Sequence, residues 1–227
     1  MYILHIETST SICSIGLSWE KAIIDFLDLE EGMNHTALLA PAIDQLLKNN
    51  GIKPSDLQAI AVCSGPGSFT GLRVGNSTAK AMAYTLGIPV IAVPTLLPLA
   101  HVARMRYPDA EIFMPMIDAR RMEVYTGIYD RNLEMPDPVF SLVLDEKAFH
   151  DLLNEHQNVV CCGNGAFKLN EIPHQRQILV DTTLVCSAVH MVIPAHDLLE
   201  RDGGSDPLHY VPFYLKPPNI TQQRSKT

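Results

Sequence analysis

The sequence predicts an α/β protein built twice over, with two lobes that each fold a mixed β-sheet against flanking helices. Three observations carry this. A three-strand meander followed by a helix and a further strand occurs in the same order in both halves. Each of those further strands runs into a glycine-x-glycine corner before a small residue and Phe: Val62-Cys63-Ser64-Gly65-Pro66-Gly67-Ser68-Phe69, then Val160-Cys161-Cys162-Gly163-Asn164-Gly165-Ala166-Phe167. An acid closes the first strand of each half, Glu7 and Asp118, with Gly16 and Gly127 at the same offset behind them. The boundary between the lobes is placed after Arg106, giving lobes 1–106 and 107–227, the second with a polar tail.

Taken in order, Ile3 to Glu7, Ile12 to Trp19 and Ala22 to Leu29 read as strands, joined by the Thr8-Ser9-Thr10-Ser11 and Glu20-Lys21 turns. Asn34 or Thr36 can cap a helix running to Asn50, in which Leu38, Leu39, Ala42, Ile43, Leu46 and Leu47 recur on one face and Gly51 closes the end; Pro41 is expected to bend it. The strand Leu57 to Ser64 leads into the first glycine corner, where Gly65 and Gly67 permit close backbone approach and Ser68 or Thr70 can cap the helix from about Thr70 to Leu86. The strand Pro89 to Val93 and a helix from about Thr95 to Arg106 complete the half. In the second half Met114 to Asp118, Met122 to Tyr129 and Pro138 to Leu144 form the meander, followed by a helix from Asp145 to Asn154 and the strand into the second corner.

A glycine corner of this kind either cradles an anion or packs tightly, and spacing excludes the two common cradles. A Walker A loop requires Lys and then Ser or Thr after its last glycine, but Leu72 follows Gly71 and Asn76 follows Gly75. A dinucleotide fingerprint requires glycine where Thr70 stands, and an acid near Val93-Pro94.

Composition narrows the class further. A chain of 227 residues with 47% hydrophobic content can bury a sizeable core, and its apolar runs fall far short of the roughly 20 residues that span a bilayer. The amino terminus lacks a basic region followed by an apolar stretch, and the five cysteines, without a C-x-x-C pair, read as buried thiols of a cytoplasmic protein. A net charge of −8 argues against this chain being the main footprint on a polyanion; Arg120-Arg121 reads as a solvated turn and the segment from Pro217 to Thr227 as a frayed terminus.

The duplicated plan resembles the superfamily of actin, sugar kinases and the Hsp70 ATPase domain, a ribonuclease H-like fold. That resemblance places a vestigial nucleotide cleft at Glu7, Thr8, Ser9, Asp118, Gly163 and Gly165. I-E-T-S-T, N-H-T-A-L-L-A-P, G-P-G-S-F-T-G-L-R-V-G, I-D-A-R-R-M-E-V-Y and P-F-Y-L-K together resemble the bacterial TsaB (YeaZ) family over nearly the whole chain. The resemblance implies a non-catalytic scaffold that activates a TsaD-like subunit in forming threonylcarbamoyladenosine on tRNA. It further implies a TsaE-like ATPase partner, self-association in isolation, tRNA contact only through the complex, no cofactor of its own, and ATP and a metal in the partner subunits. Where TsaD-like proteins carry H-x-E-x-H, this chain reads Thr95-Leu96-Leu97-Pro98-Leu99, so neither imidazole is present. No metal ligand or catalytic residue is assigned, and the nine histidines read as surface or hydrogen-bonded residues. Glu7 departs from the Asp usual in the family, which lengthens that side chain by a methylene.

For the partner surface, Gly71, Gly75, Ala79 and Ala83 stand four apart and form a small-residue ridge. That ridge either packs on the chain's own first helix or, as the resemblance favours, joins a helix bundle with TsaD. The expected interface has an apolar centre from Leu38, Leu39, Leu72 and Val74 and a rim of His35, Arg73 and Lys80. Replacing Gly75 by Leu is then expected to weaken TsaD binding while leaving the monomer folded. The alternatives are a stand-alone enzyme, either ATP-binding or a glycoprotease-like metallopeptidase, and a structural homodimer with another partner.

Overall fold

The structure is a computed structural model that describes residues 1–29, 35–135, 137–145, 147, 149, 151, 158–172 and 178–216. Its first sheet contains β1 (Tyr2–Glu7), β2 (Cys13–Trp19), β3 (Ala22–Leu29), β4 (Leu57–Gly65) and β5 (Val90–Pro94) in the order β3-β2-β1-β4-β5. The meander is antiparallel, and β4 and β5 join parallel to β1. Its second sheet contains β6 (Ile112–Asp118), β7 (Glu123–Thr126), β8 (Phe140–Val143), β9 (Val159–Cys162) and β10 (Ile178–Asp181) in the order β10-β9-β6-β7-β8. Read from the opposite edge, this is the same topology, so the duplication inferred from element order extends to strand pairing.

Alternation decides what covers each face of the first sheet. Leu4, Ile6, Ile15, Leu17, Ile60 and Val62 point to one side, under α1 (His35–Asn49) and α2 (Phe69–Leu86), which supply Leu39, Ile43, Leu46, Ala79 and Ala83. Burying each of the large side chains stabilises by about 1.5–3 kcal/mol. Ile3, Ala59, Ala61, Ile91 and Val93 point to the other side and meet Met191, which caps α4 (Val192–Asp202), and Ala195 within it. On the second sheet, Phe113, Val160 and Cys162 pack under Leu96, Leu99, Ala100 and Ala103 of α3 (Leu96–Arg106).

Helix packing crosses the division expected at Arg106. Helix α3 precedes that boundary yet covers the second sheet, and α4 follows it yet covers the first. Each lobe closes its core with a helix contributed by the other half of the sequence, because the apolar stripes of α3 and α4 match the sheet faces that remain after α1 and α2 are placed.

The second lobe abbreviates the repeat. Strand β7 ends at Thr126, short of the expected Tyr129, because the chain leaves the ladder at Gly127 and Tyr129 pairs as an isolated bridge with Phe113. After the second glycine corner the chain forms only a 3-10 helix, Ala166–Glu171, where the first corner opens α2. The expected helix from Asp145 to Asn154 and the tail beyond Lys216 fall largely or wholly outside the described residues.

Candidate functional site

The site begins at the first glycine corner, which packs rather than cradles. Gly65 adopts φ +110°, and a β-carbon there would lie 2.2 Å from the Phe213 carbonyl oxygen. Gly67 faces the β1–β2 turn, where a β-carbon would lie 2.5 Å from the Ser9 carbonyl oxygen. Three of the corner's amides are taken up by the chain. Gly65 N–H donates to Thr95 Oγ1 at 3.1 Å, Ser68 N–H to the Ser9 carbonyl at 2.7 Å, and Gly71 N–H to the capping Ser68 Oγ at 3.3 Å. Thr95 N–H returns a bond of 3.0 Å to the Gly65 carbonyl, which fixes the start of α3 against the corner.

Of the cleft residues, Glu7 is buried and turned back on its own turn, accepting from Ser9 N–H at 2.7 Å and Ser9 Oγ at 2.5 Å. Burial pushes its carboxyl above the usual carboxylate range, against the opposing effect of those donors and the Cys63 thiol. Thr8 is locked by its N–H to Cys63 Sγ at 3.2 Å and by its hydroxyl to the Gly71 carbonyl at 2.8 Å. Burial, with Glu7 adding to it, holds the Cys63 thiol well above its ordinary range. All five cysteines are free and buried, as the sequence suggested.

The second corner repeats the geometry with different chemistry. Gly163 has φ +100°, Gly165 N–H donates to the Met116 carbonyl at 2.9 Å, and Asp118 N–H donates to Asn164 Oδ1 at 3.2 Å. Asp118 is paired: Lys168 Nζ lies 2.5 Å from Oδ1 and also donates to the Glu123 carbonyl at 2.7 Å. The Lys168 side chain is only 4% exposed, so its charge leaves water for this carboxylate and carbonyl. At the adjoining β6–β7 turn, Arg120 and Arg121 are exposed and both adopt positive φ.

The partner-surface expectations divide. The small-residue ridge is not a docking face. A β-carbon on Gly71 would lie 2.0 Å from the Thr8 carbonyl oxygen and one on Gly75 2.2 Å from Thr8 Oγ1, while Ala79 and Ala83 are fully buried. Leu39 and Leu72 likewise belong to the monomer's interior. The expectation that Gly75→Leu leaves the monomer folded therefore fails, since the new side chain would have to occupy the space of Thr8. Outward-facing positions include Ala40, Pro41, Asp44 and Lys48 on α1 and Thr70, Arg73, Ser77, Ala81 and Tyr84 on α2, with Leu38 and Val74 half-buried beside them. Arg73 lies over the Phe69 ring at 5.5 Å, and Lys80 donates to the Tyr210 carbonyl at 2.7 Å. His35 begins α1, and its side chain lies outside the described residues.

Of two buried histidines, His5 is hydrogen-bonded as expected and His196 departs from expectation. His5 is buried with Nε2 2.8 Å from Ser18 Oγ and no partner for Nδ1, and neither ring nitrogen of buried His196 has a hydrogen-bond partner among the described residues. Both lie where α4 seals the first sheet; the nearest carboxylate oxygens to His196 are those of Glu200 at 3.5 Å and Glu20 at 3.9 Å. Among the described residues, no group of three or more His, Cys, Asp or Glu is placed to hold a metal ion. At the positions aligned with H-x-E-x-H, Thr95 and Leu99 are fully buried, the first holding the corner and the second in the core.

Beyond the P-F-Y-L-K motif, no residue pattern announces a role for the segment from Ser205 to Lys216. It runs along α2: Tyr210 is buried with its hydroxyl donating to Asn76 Oδ1 at 2.5 Å, Phe213 N–H donates to the Ser64 carbonyl at 2.7 Å, and Tyr214 packs on Phe69 with ring centres 5.1 Å apart. Leu208, Val211, Phe213 and Tyr214 present apolar surface outward.

A family model described as "TsaD: tRNA N6-adenosine threonylcarbamoyltransferase" matches residues 31–188. The chain is 41% identical over 129 residues to the tRNA threonylcarbamoyladenosine biosynthesis protein TsaB of Bacillus subtilis, a match covering 57% of this chain and 55% of that protein. It thus spans about half the length of that relative. Among solved structures, YeaZ from Pseudomonas aeruginosa superposes with TM-score 0.77 at 27% identity, covering 94% of this chain and 99% of that one. The activator of 2-hydroxyisocaproyl-CoA dehydratase from Clostridium difficile, solved with bound ADPNP, superposes with TM-score 0.53 at 10% identity over 89% of this chain and 97% of that one. The likeness to both structures, with the two equivalent sheets, establishes the duplicated actin-like fold.

Proposed function

From the premise that this chain belongs to the family represented by the TsaD model, with the TsaB (YeaZ) proteins as its relatives, we propose that it serves in the biosynthesis of threonylcarbamoyladenosine on tRNA as a non-catalytic subunit. It binds and activates a TsaD-like catalytic subunit, works alongside a TsaE-like ATPase, and pairs with itself when alone. Transfer RNA is held through the assembly, in keeping with a chain whose net charge is −8. ATP and a metal act in the partner subunits, and the assembly is cytoplasmic.

The observation that carries the non-catalytic reading is the fate of the two corner acids. Glu7 is folded onto Ser9 inside the protein and Asp118 is paired with Lys168, so the side chains best placed for phosphate or metal chemistry are committed to holding the chain's own turns. The binding face consists of the outer sides of α1 and α2. Its apolar contribution comes from Leu38, Val74 and Tyr84 and from the neighbouring Leu208 and Val211, in place of the core residues Leu39 and Leu72.

The test is titration of the chain against a purified TsaD-like protein, followed by tRNA modification with and without the chain. Arg73→Glu combined with Tyr84→Ala is expected to weaken association tenfold or more while the thermal midpoint of the monomer stays within about 2 °C, since both side chains are exposed. Undiminished association would remove this face from the proposal; full modification activity of the TsaD-like protein without the chain would remove the activating role.

A further inference from the structure

The chain passes covalently between the lobes at two places. One is where β5 runs through Thr95 into α3, and the other is where β10 runs on to the 3-10 helix Ala188–Met191, which packs on β1 and β2. The segment from Ser205 to Lys216 makes a third, non-covalent connection. Its beginning is pinned to the first lobe, where Ser205 and Val90 exchange backbone hydrogen bonds of 2.7 and 3.0 Å. Its middle is held by buried Tyr210 on Asn76, by Lys80 on the Tyr210 carbonyl, and by Phe213. The Phe213 carbonyl rests so closely on the first glycine corner that Gly65 has no room for a side chain. Its end then leaves the first lobe: Lys216 Nζ reaches the carboxylate of Glu123 on β7 in the second sheet, and Ser141 Oγ donates to that same carboxylate oxygen. Lys216 lowers the Glu123 carboxyl below its usual range, with Ser141 adding to the effect.

We propose that residues 205–216 form a latch between the lobes, fastened to the first lobe at the glycine corner and released or closed at the second lobe through the Lys216–Glu123 ion pair. The two ends differ in strength by construction. The corner end combines backbone hydrogen bonds with a buried aromatic ring. Among the described residues, the polar contact at the far end is an ion pair whose Lys216 is 43% and Glu123 22% exposed, so it is weak and sensitive to salt. A single weak fastening at the end of a firmly seated strap lets the lobe angle change without unfolding either sheet. Glu123 also sits beside the second corner, its backbone carbonyl accepting from Lys168, so opening the latch acts where Asp118 is held.

The test uses the full chain in three forms: unchanged, Lys216→Ala, and the charge-exchanged pair Lys216→Glu with Glu123→Lys. Two readings are taken at low salt. One is hydrogen exchange at the Phe213 amide; the other is the distance distribution between spin labels placed at exposed Ala22 on β3 and exposed Val143 on β8, with labelled chain diluted into unlabelled chain so that pairing between copies adds no distances. Lys216→Ala is expected to speed Phe213 exchange about two- to fivefold and to broaden the inter-lobe distance, as expected for loss of an exposed ion pair. The charge-exchanged form should restore both, and 1 M salt should bring the unchanged chain to the Lys216→Ala values. Faster exchange with an unaltered distance distribution would reduce the segment to an ordinary tail anchor and overturn the latch, as would no change in either reading. Both readings are made on the chain alone, so their outcome is independent of whether a TsaD-like partner binds.

Discussion

Replacing Gly71 by alanine sets two physical effects of opposite sign against each other in one helix. Judged by helix propensity alone, Gly→Ala inside α2 stabilises by about 1 kcal/mol. The tertiary structure reverses the sign. The new β-carbon would lie 2.0 Å from the Thr8 carbonyl oxygen, a backbone atom that cannot swing aside, and only 3.4 Å from Ser68 Cβ. Relieving the clash moves the β1–β2 turn off α2. That strains the 2.8 Å bond from the Thr8 hydroxyl to the Gly71 carbonyl, worth about 1–3 kcal/mol if left unmade, in addition to about 1–3 kcal/mol for overpacking. After the propensity gain, a net loss of about 1–5 kcal/mol remains, or roughly 3–15 °C in midpoint for a chain of this size. Thermal unfolding followed by circular dichroism reads this directly, with Ser77→Ala on the exposed side of α2 as the control that should match or slightly exceed the unchanged chain. A Gly71→Ala midpoint at or above that of the unchanged chain would refute the claim that α2 is seated by Thr8 and would return its small-residue ridge to the solvent face.

Two further outcomes follow from burial. His5 is neutral in the fold because burial, with His196 beside it, lowers its pKa to about 3 from 6.5. The unfolded chain therefore binds the extra proton across that window. The His5 contribution is complete above pH 6.5 and is lost as pH falls toward 3, at about 1.4 kcal/mol per pH unit. Urea unfolding at pH 7 and pH 4.5 should show the unchanged chain losing about 2–3 kcal/mol more than His5→Gln; equal losses would mean the ring is not held neutral. For the thiols, burial raises Cys161 to about 12 and, with Glu7 and Asp28 adding to it, Cys13 to about 11, and all five are shielded from solvent. An aromatic disulfide reagent should find none within minutes in the folded protein and five in guanidinium; a fast-reacting thiol in the folded protein would show that the seam between the lobes is open.

Much of the first lobe was legible because its signals are local. Strands β1 to β5 lie within a residue or so of their expected limits, since alternating apolar residues and the Gly65 corner mark them without reference to anything distant. Helix α2 is capped by Ser68 at one end and by Gly87 in a left-handed conformation at the other, both readable from residue type. The second lobe was less legible. Pro173 disfavours a helical Ile172, so the run after the second corner stops as six residues of 3-10 helix, and the repeat suggested by Gly163-Asn164-Gly165 does not extend to a full helix. Lys168 was missed because its meaning lies in Asp118, fifty positions away along the chain, and nothing beside it in sequence announces the pairing.

The sequence by itself determined the duplication, the two glycine corners and the buried character of the cysteines, because each is written in residue type and short-range spacing. Only the tertiary structure decided which side of α2 faces Thr8, that α3 and α4 cover the sheet of the opposite half, and that Phe213 occupies the space over Gly65. The physical reason is that helical periodicity shows that a stripe will be covered without specifying by what. The covering atoms come from residues tens to more than a hundred positions away, and their arrival is settled by the packing of the whole chain.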